Sequence, residues 1–229
     1  MCWQSMNDSQ IAKAHSQDVY ESDASLPGGL VLVVDADNTL WDTNEVFALA
    51  QLRLLELTEQ SVGRVLPQGD RLAFVRAYDQ AIAVKHHLHL KYPAQLLVAA
   101  IGAGLLSGME AGAAAESAIR GRLLGNAPSQ RQINDILSAY SEALSEIPAL
   151  LPTVREGLEF AGAQHMMVFV MTEGKLERQR RALAEHGLTS LIANVWEMTK
   201  ATAQFERLRQ RFAPAQVVVI GDQLDRDIV

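Results

Sequence analysis

Three short apolar runs constrain the fold of this chain more than any other feature of its sequence. They lie at 30–34, 166–172 and 217–222, and their apolar residues follow one another instead of alternating with polar ones. Strands buried on both faces have this pattern, and they occur in parallel sheets that helices cover. The runs therefore predict three buried strands of a parallel sheet.

Helical patterns join these strands. Between the second and third runs, one predicted helix carries Leu176 and Leu183 and stops at Gly187, and another keeps an apolar face until Pro214. Pro152 opens a further short helix ahead of the second run. The alternation of strands and helices predicts an α/β fold with a doubly wound, Rossmann-like parallel sheet.

The stretch 45–147 departs from this alternation of strands and helices because its patterns are helical throughout. Ser129 and Gln132 have the spacing of a capping box. The glycines of GAGLLSG at 102–108 are expected to serve helix packing, since no strand precedes them as in a nucleotide-binding loop. We therefore predict an all-helical cap domain inserted into the core. The predicted organisation is a flexible tail at 1–28, core at 29–44, helical cap at 45–147 and the remainder of the core, C-terminally short, at 148–229.

Composition limits the possible classes of function. The single cysteine, Cys2, indicates a reducing compartment, and 1–28 lacks the pattern of a signal peptide. No apolar run reaches the roughly 18 residues typical of a membrane span. The net charge of −7 disfavours nucleic acid as a partner, because phosphate backbones are bound mainly by Lys and Arg. We therefore expect a cytoplasmic protein that binds neither membranes nor nucleic acid.

Each predicted strand leads to polar residues suited to chemistry. The first is followed by Asp35 and Asp37, the second ends at Thr172, and the third ends at Asp222, with Asp227 shortly beyond. Any one of these residues alone is more typical of a turn or a helix cap. The carboxyl ends of parallel strands share one edge of the sheet, so the sequence predicts that these groups converge there.

In this order and spacing, the residues resemble the motifs of the haloacid dehalogenase-like hydrolase superfamily. DADNTLWD at 35–42 resembles the first motif, VMTEG at 170–174 the second, Lys200 the third and GDQLDRDI at 221–228 the fourth. The resemblance implies a phosphatase-type member with a helical cap inserted after the first motif.

A metal ion is expected at the first and fourth motifs. A phosphate monoester and an attacking carboxylate are both anionic, so a cation between them lowers their repulsion. Mg²⁺ prefers oxygen ligands and usually keeps several waters. The expected protein ligands are the carboxylates of Asp35 and Asp222 and the main-chain carbonyl of Asp37, with Asp227 orienting them.

The catalytic residues are expected to be Asp35, Asp37, Thr172 and Lys200. Asp35 would attack phosphorus and form an aspartyl-phosphate. Asp37 would protonate the leaving alkoxide and later take a proton from the hydrolytic water. Thr172 would donate a hydrogen bond to a phosphoryl oxygen, and Lys200 would balance the developing charge. The sequence thus predicts a Mg²⁺-dependent phosphohydrolase for a small phosphorylated metabolite.

Two other functions stay open at this point. A 2-haloacid dehalogenase shares the scaffold and the aspartate nucleophile but needs no metal, and a binding or regulatory protein would bind a phosphorylated ligand without turnover. Lys175 is a rival to Lys200, although its position at the start of a helix favours a solvated side chain.

Three histidines in the predicted cap and one glutamate beside Thr172 could also affect the predicted site. His86, His87 and His89 are expected on a helix, where neighbouring residues point in different directions, so contact with substrate is favoured over metal binding. Glu173 stands where many relatives have a small polar residue, and it adds negative charge near the predicted phosphate pocket.

Overall fold

The computed structural model describes residues 29–66, 68–122 and 127–223, so the predicted tail and Asp227 lie outside the described residues. The chain divides into two compact units. One comprises Met1–Trp41 with Leu150–Val229, and the other is Asp42–Ala149. No helix in the described part of the chain combines the length and the apolar character needed to cross a membrane.

The first unit is built on a parallel sheet. Its strands, as far as the structure describes them, are β1 (Leu30–Asp35), β2 (Met167–Thr172), β3 (Asn194–Glu197) and β4 (Gln216–Ile220). They lie in the order β3-β2-β1-β4, and all pairings are parallel. The predicted α/β parallel sheet is confirmed. The sequence did not predict β3, because its four residues include Asn194 and Glu197 and form no apolar run.

The second unit is built from helices. The first unit has helices of its own, which connect its strands. The helices of the second unit are α1 (Thr43–Val62), α2 (Arg71–Lys85), α3 (Gln95–Ser107), α4 (Ala111–Ile119) and α5 (Gln130–Leu144). Those of the first unit are α6 (Val154–Ala163), α7 (Leu176–Glu185) and α8 (Thr202–Arg211). The predicted fold, a Rossmann-like core with an inserted all-helical domain, is confirmed.

The order of the strands identifies the edge of the sheet where a ligand is expected. The chain passes from β1 to β2 and on to β3 in one direction, and then returns to place β4 on the other side of β1. In open parallel sheets, ligands bind outside the carboxyl ends of the strands where the chain reverses in this way. The residues that follow β1 and β4 therefore lie where a ligand is expected to bind.

Aromatic packing supports this sheet from one face. The rings of Phe169 on β2 and Trp196 on β3 stack with centroids 4.5 Å apart, and Phe212 packs 5.0 Å from Phe169. Trp196 is 1% exposed, and Leu208 of α8 joins the same buried cluster. The short strand β3 is thus held by side-chain packing as well as by pairing.

The predicted capping box begins α5. The Ser129 side chain accepts a hydrogen bond from the Gln132 amide, and the Gln132 side chain accepts one from the Ser129 amide.

The expectation that the histidines lie on a helix was wrong for His86 and His87. The helix α2 ends at Lys85 because His86 is extended, with φ −89° and ψ 138°, and the His86 and His87 rings pack 4.4 Å apart.

Of the glycines in GAGLLSG, Gly104 serves helix packing, as predicted, whereas Gly108 ends the helix. They lie in or directly after α3, which ends at Gly108 in the left-handed conformation. Gly104 faces the ring of Tyr78, whose hydroxyl donates a hydrogen bond to the Met109 carbonyl at 2.6 Å. A Cβ atom at position 104 would lie 2.1 Å from the Tyr78 hydroxyl oxygen. Glycine at this position therefore lets α2 and α3 approach closely.

Gly104→Ala should destabilise the protein because the added methyl group overlaps the Tyr78 hydroxyl. We expect the free energy of unfolding to fall by about 1–3 kcal/mol, the usual range for overpacking. Gly112→Ala in α4 is the control, since a Cβ atom there meets nothing within 4 Å. It should be neutral or stabilising by up to about 1 kcal/mol. Equal effects in chemical denaturation would contradict the packing role of Gly104.

An ion pair between a buried carboxylate and a partly exposed arginine joins α1 to the start of α2. Arg71 Nη2 lies 2.7 Å from Oε2 of Glu59, and the Glu59 side chain is 6% exposed. Burial alone raises the pKa of Glu59, but hydrogen bonds from Arg71 and from the Leu66 amide, with the charge of Arg71, outweigh it and leave this pKa lowered. A carboxylate with a lowered folded-state pKa stabilises the fold above its unfolded pKa and loses this contribution as the pH falls through the folded value.

Arg71→Met should lower the free energy of unfolding at pH 7 by about 1–3 kcal/mol, because it leaves the buried Glu59 charge less compensated. The difference from wild type should shrink as the pH falls below about 4.3, the ordinary glutamate pKa. The control is Arg53→Met, because the Arg53–Glu56 pair is half exposed. Its effect should stay below about 1 kcal/mol. A loss in Arg71→Met that does not change with pH would contradict the assignment.

Candidate active site

The first strand ends in a buried carboxylate and passes directly into a tight turn. Asp35 is 4% exposed. The carbonyl of Ala36 accepts a hydrogen bond from the Leu40 amide at 2.9 Å. Asn38 has a φ of 59°, a left-handed conformation that asparagine adopts more readily than most residues. The turn therefore carries Asp35 and Asp37 at the carboxyl edge of the sheet.

Lys200 supplies the positive charge beside Asp35. Its Nζ atom lies 2.9 Å from Asp35 Oδ2, and each of the two side chains is 5% exposed. Removing charges from water is costly unless they are paired, so this contact accounts for both groups being buried. Lys175 is exposed and caps the start of α7. Of these two lysines, Lys200 is the one that the fold brings to Asp35.

Two carboxylates connect the residues after β2 with the end of β3 and the residues that follow it. Oε1 of Glu173 accepts a hydrogen bond from the Lys200 amide at 3.0 Å, and Oε2 of Glu197 accepts one from the Leu176 amide at 2.9 Å. The first bond holds the backbone of the lysine that pairs with Asp35. Glu173 thus has a structural role in addition to the negative charge that the sequence indicated.

Thr172 ends β2 and is fully buried. Its hydroxyl oxygen accepts hydrogen bonds from the Gly174 amide at 2.9 Å and from Nε2 of Gln179 at 3.3 Å. The same Nε2 atom lies 3.2 Å from Oδ2 of Asp37. A hydroxyl oxygen that accepts two bonds still has its own hydrogen to donate. This arrangement is suited to the hydrogen bond predicted from Thr172 to a phosphoryl oxygen.

Sequence reasoning missed Gln179. It lies in α7 between Leu176 and Leu183, on the face that carries the apolar residues of this helix, and it is 2% exposed. A polar residue on the apolar face of a helix is unusual unless it has a partner. That position was the available signal, but its partners became known only from the fold.

Asp222 is exposed and follows β4 by two residues. Because Ile220 pairs with Val34, Asp222 leaves the sheet on the strand next to β1, at the edge where the chain reverses. Asp227 lies outside the described residues, so its predicted role stays a prediction. Within 29–66, 68–122 and 127–223, no three His, Cys, Asp or Glu residues form a group that could hold a metal by themselves.

The donor set at this edge nevertheless fits Mg²⁺. Asp35 and Asp222 follow neighbouring strands and carry hard oxygen donors. Proteins usually bind Mg²⁺ through one or two carboxylates, with waters and substrate completing the coordination. Zn²⁺ instead prefers several Cys or His ligands. The residues present are therefore of the kind that binds magnesium.

The fold resembles solved hydrolases, although no protein-family model and no curated protein matches the sequence. A haloacid dehalogenase-like family hydrolase from Xanthomonas campestris has a TM-score of 0.54 and 20% identity, covering 88% of this chain and 78% of that chain. A protein assigned as a HAD-hydrolase from Bacillus subtilis, bound to magnesium, has a TM-score of 0.54 and 18% identity, covering 88% and 83%.

A third structure, a predicted phosphoglycolate phosphatase from Haemophilus somnus, has a TM-score of 0.50 and 17% identity, covering 86% of this chain and 78% of that chain. These matches extend over both the sheet-containing unit and the inserted helices. The chain therefore has the fold of the haloacid dehalogenase-like hydrolases.

Lys200→Met should lower the free energy of unfolding by about 3–5 kcal/mol, because it removes the positive charge that compensates a buried carboxylate. Adding Asp35→Asn should recover most of this loss, since it removes the other charge. The control is Lys175→Met, which should change stability by less than about 0.5 kcal/mol. Chemical denaturation followed by circular dichroism measures wild type, the Lys200→Met and Asp35→Asn single variants, the double variant and Lys175→Met. If the losses of unfolding free energy in Asp35→Asn and Lys200→Met added up in the double variant, the two residues would not be coupled.

Proposed function

We propose that this protein is a Mg²⁺-dependent phosphohydrolase that acts on a small phosphorylated metabolite. The observation that carries the proposal is the carboxylate of Asp35, which is buried at the end of an interior strand, paired with Lys200 and followed closely by Asp37. A nucleophile, a cation and a second carboxylate for proton transfer are the groups that hydrolysis of a phosphomonoester through a covalent intermediate requires.

In the first step, an oxygen of Asp35 forms a bond to phosphorus while the bond from phosphorus to the leaving oxygen breaks. The electron pair of the broken bond goes to the leaving oxygen, which takes a proton from Asp37. Lys200 and the Thr172 hydroxyl stabilise the negative charge on the phosphoryl oxygens. The products of this step are an alcohol and an aspartyl-phosphate on Asp35.

In the second step, water attacks the phosphorus of the aspartyl-phosphate. Asp37, now a carboxylate, takes a proton from the water as the new bond to phosphorus forms. The bond between phosphorus and Asp35 breaks, and its electron pair returns to the Asp35 carboxylate. Inorganic phosphate leaves, and Asp37 is again protonated for the next cycle.

A bound magnesium ion would supply the positive charge that offsets the repulsion between Asp35 and the phosphoryl group. Asp35 and Asp222 are the residues that would hold it, with the main-chain carbonyl of Asp37, and Asp227 is proposed to orient them. The similarity to a hydrolase from Bacillus subtilis bound to magnesium supports this assignment.

Asp37 favours a phosphatase over a dehalogenase. Halide leaves carbon readily as an anion and needs no proton, whereas an alkoxide leaving phosphorus is strongly basic and benefits from one. A second carboxylate beside the nucleophile, held in place by Gln179, is therefore useful for phosphoryl transfer. The similarity to a predicted phosphoglycolate phosphatase also supports the phosphatase assignment.

Asp37→Asn should slow the hydrolysis of alkyl phosphates, which have poor leaving groups, by about 10²–10⁴-fold, the usual contribution of a general acid or base. The effect on p-nitrophenyl phosphate should be much smaller in the first step, because its leaving group needs little protonation. The measurement is release of the alcohol or of p-nitrophenolate under pre-steady-state conditions with added Mg²⁺, and EDTA should stop both reactions.

Asp35→Asn tests the nucleophile, because the replacement is nearly isosteric and removes the attacking carboxylate, and the wild-type protein distinguishes the remaining functions. It should abolish turnover and leave the circular dichroism spectrum unchanged. Release of chloride from 2-chloropropionate in EDTA, without phosphatase activity, would overturn the proposal in favour of a dehalogenase. Binding of phosphorylated compounds by wild type without any phosphate release would instead indicate a binding protein.

A further inference from the structure

The side chain of Gln179 connects two residues of the candidate site. Its amide nitrogen lies 3.2 Å from Oδ2 of Asp37 and 3.3 Å from the hydroxyl oxygen of Thr172. Oδ2 of Asp37 can accept this hydrogen bond whether or not Oδ1 carries a proton, so the amide nitrogen can donate to it in both steps of the proposed reaction. The two amide hydrogens can therefore serve the two acceptors at the same time.

The oxygen of the same amide shows that this arrangement has a cost. Oε1 of Gln179 is buried, and no donor in the described part of the protein reaches it. A buried polar atom without a hydrogen bond destabilises a protein, because it has lost water without gaining a partner. Methionine has a similar length and carries no such oxygen. The glutamine at this position is thus explained by the contacts of its nitrogen and not by packing.

Gly174 shows how closely these groups are packed. A Cβ atom at this position would lie 3.1 Å from Nε2 of Gln179, 3.2 Å from Oγ1 of Thr172 and 3.3 Å from Oδ2 of Asp37. These distances are shorter than ordinary carbon contacts, so a methyl group would require the neighbouring side chains to move by a few tenths of an ångström. The backbone of Gly174 therefore closes one side of the cluster and helps to hold the amide against Asp37.

We propose that Gln179 is a positioning residue for proton transfer, and this inference rests on the phosphohydrolase function proposed above. A hydrogen bond to Oδ2 restricts rotation of the Asp37 carboxyl group. A proton donor held in one orientation meets the leaving oxygen more often than one that rotates. Gln179 does not contact the reacting atoms in this scheme; it acts through Asp37.

The test is Gln179→Met, which keeps the length of the side chain and removes the amide. We expect kcat for alkyl phosphates to fall about 10-fold, a part of the roughly 10²–10⁴-fold that proton transfer contributes. Phosphorylation of the enzyme by p-nitrophenyl phosphate should change less than about 3-fold, because its leaving group needs little protonation. For each of the two substrates, the KM of Gln179→Met should be similar to that of wild type. Equal slowing with all leaving groups would overturn the proposal.

Two comparisons separate positioning from a general loss of structure. In an Asp37→Asn background, Gln179→Met should cause no further loss that depends on the leaving group; an additive loss would show that it does not act through Asp37. The matched control is Gln51→Met, because Gln51 is also buried and donates to a carboxylate, that of Asp79, at 2.9 Å. This variant should show no dependence on the leaving group.

A second variant keeps the test valid if Gln179→Met fails to fold. Gln179→Leu also removes the amide and fills the buried position with an apolar side chain, so it should produce the same dependence on the leaving group. Folding of each variant is checked by circular dichroism and thermal unfolding. Wild-type leaving-group dependence in a folded Gln179→Leu protein would count against the proposal.

A measurement without turnover separates this inference from the proposed function. In NMR spectra of the full chain, the side-chain amide signals of Gln179, assigned by their loss in Gln179→Met, should move in Asp37→Asn. They should not move in Asp42→Asn, which removes the carboxylate that caps α1. If wild type releases no phosphate, the proposed function fails, and signals unchanged in Asp37→Asn would separately refute the contact between Gln179 and Asp37.

Discussion

Asp35 and Lys200 bury opposite charges at the carboxyl edge of the sheet, where an isolated charge would be strongly destabilising. The pair therefore requires that two distant parts of the chain meet within hydrogen-bonding distance. Asp35 is fixed because β1 lies between β2 and β4. Lys200 is fixed because its amide donates to Glu173 and because the neighbouring strand β3 is packed through Trp196. The candidate site thus depends on how firmly two loops are held by the core.

The second unit has a hydrophobic core of its own and a separate, partly buried polar cluster around Asp79. The carboxylate of Asp79 accepts hydrogen bonds from Gln51 and from the hydroxyl of Tyr92. Burial, together with the charge of Asp79, raises the pKa of Tyr140 to about 12 and also raises the pKa of Tyr92. Both tyrosines therefore keep their protons at neutral pH. They join the helices of this unit as hydrogen-bond donors or packing groups and are not suited to proton transfer.

Patterns that depend on near neighbours were predicted well. The capping box at Ser129 and Gln132, and the helix stop at Gly187, involve contacts between residues a few positions apart, and both occur in the structure. The strand β3 was missed because Asn194–Glu197 is short and has no apolar run, so its identity depends on pairing with β2. The helical position of His86 was wrong because the periodic pattern continued past the residue where the backbone becomes extended.

The sequence by itself determined the parallel sheet and the positions of Asp35, Asp37 and Thr172 at or just after the strand ends, because apolar runs and strand termini are local properties. Only the tertiary structure decided which side chains pair there. Lys200 and Gln179 lie far from Asp35 and Asp37 in sequence, and they reach these carboxylates because β3 pairs with β2 and α7 packs beside the sheet. Hydrogen bonds form over about 3 Å, and no periodicity in a sequence specifies a distance of that size between segments separated by more than a hundred residues.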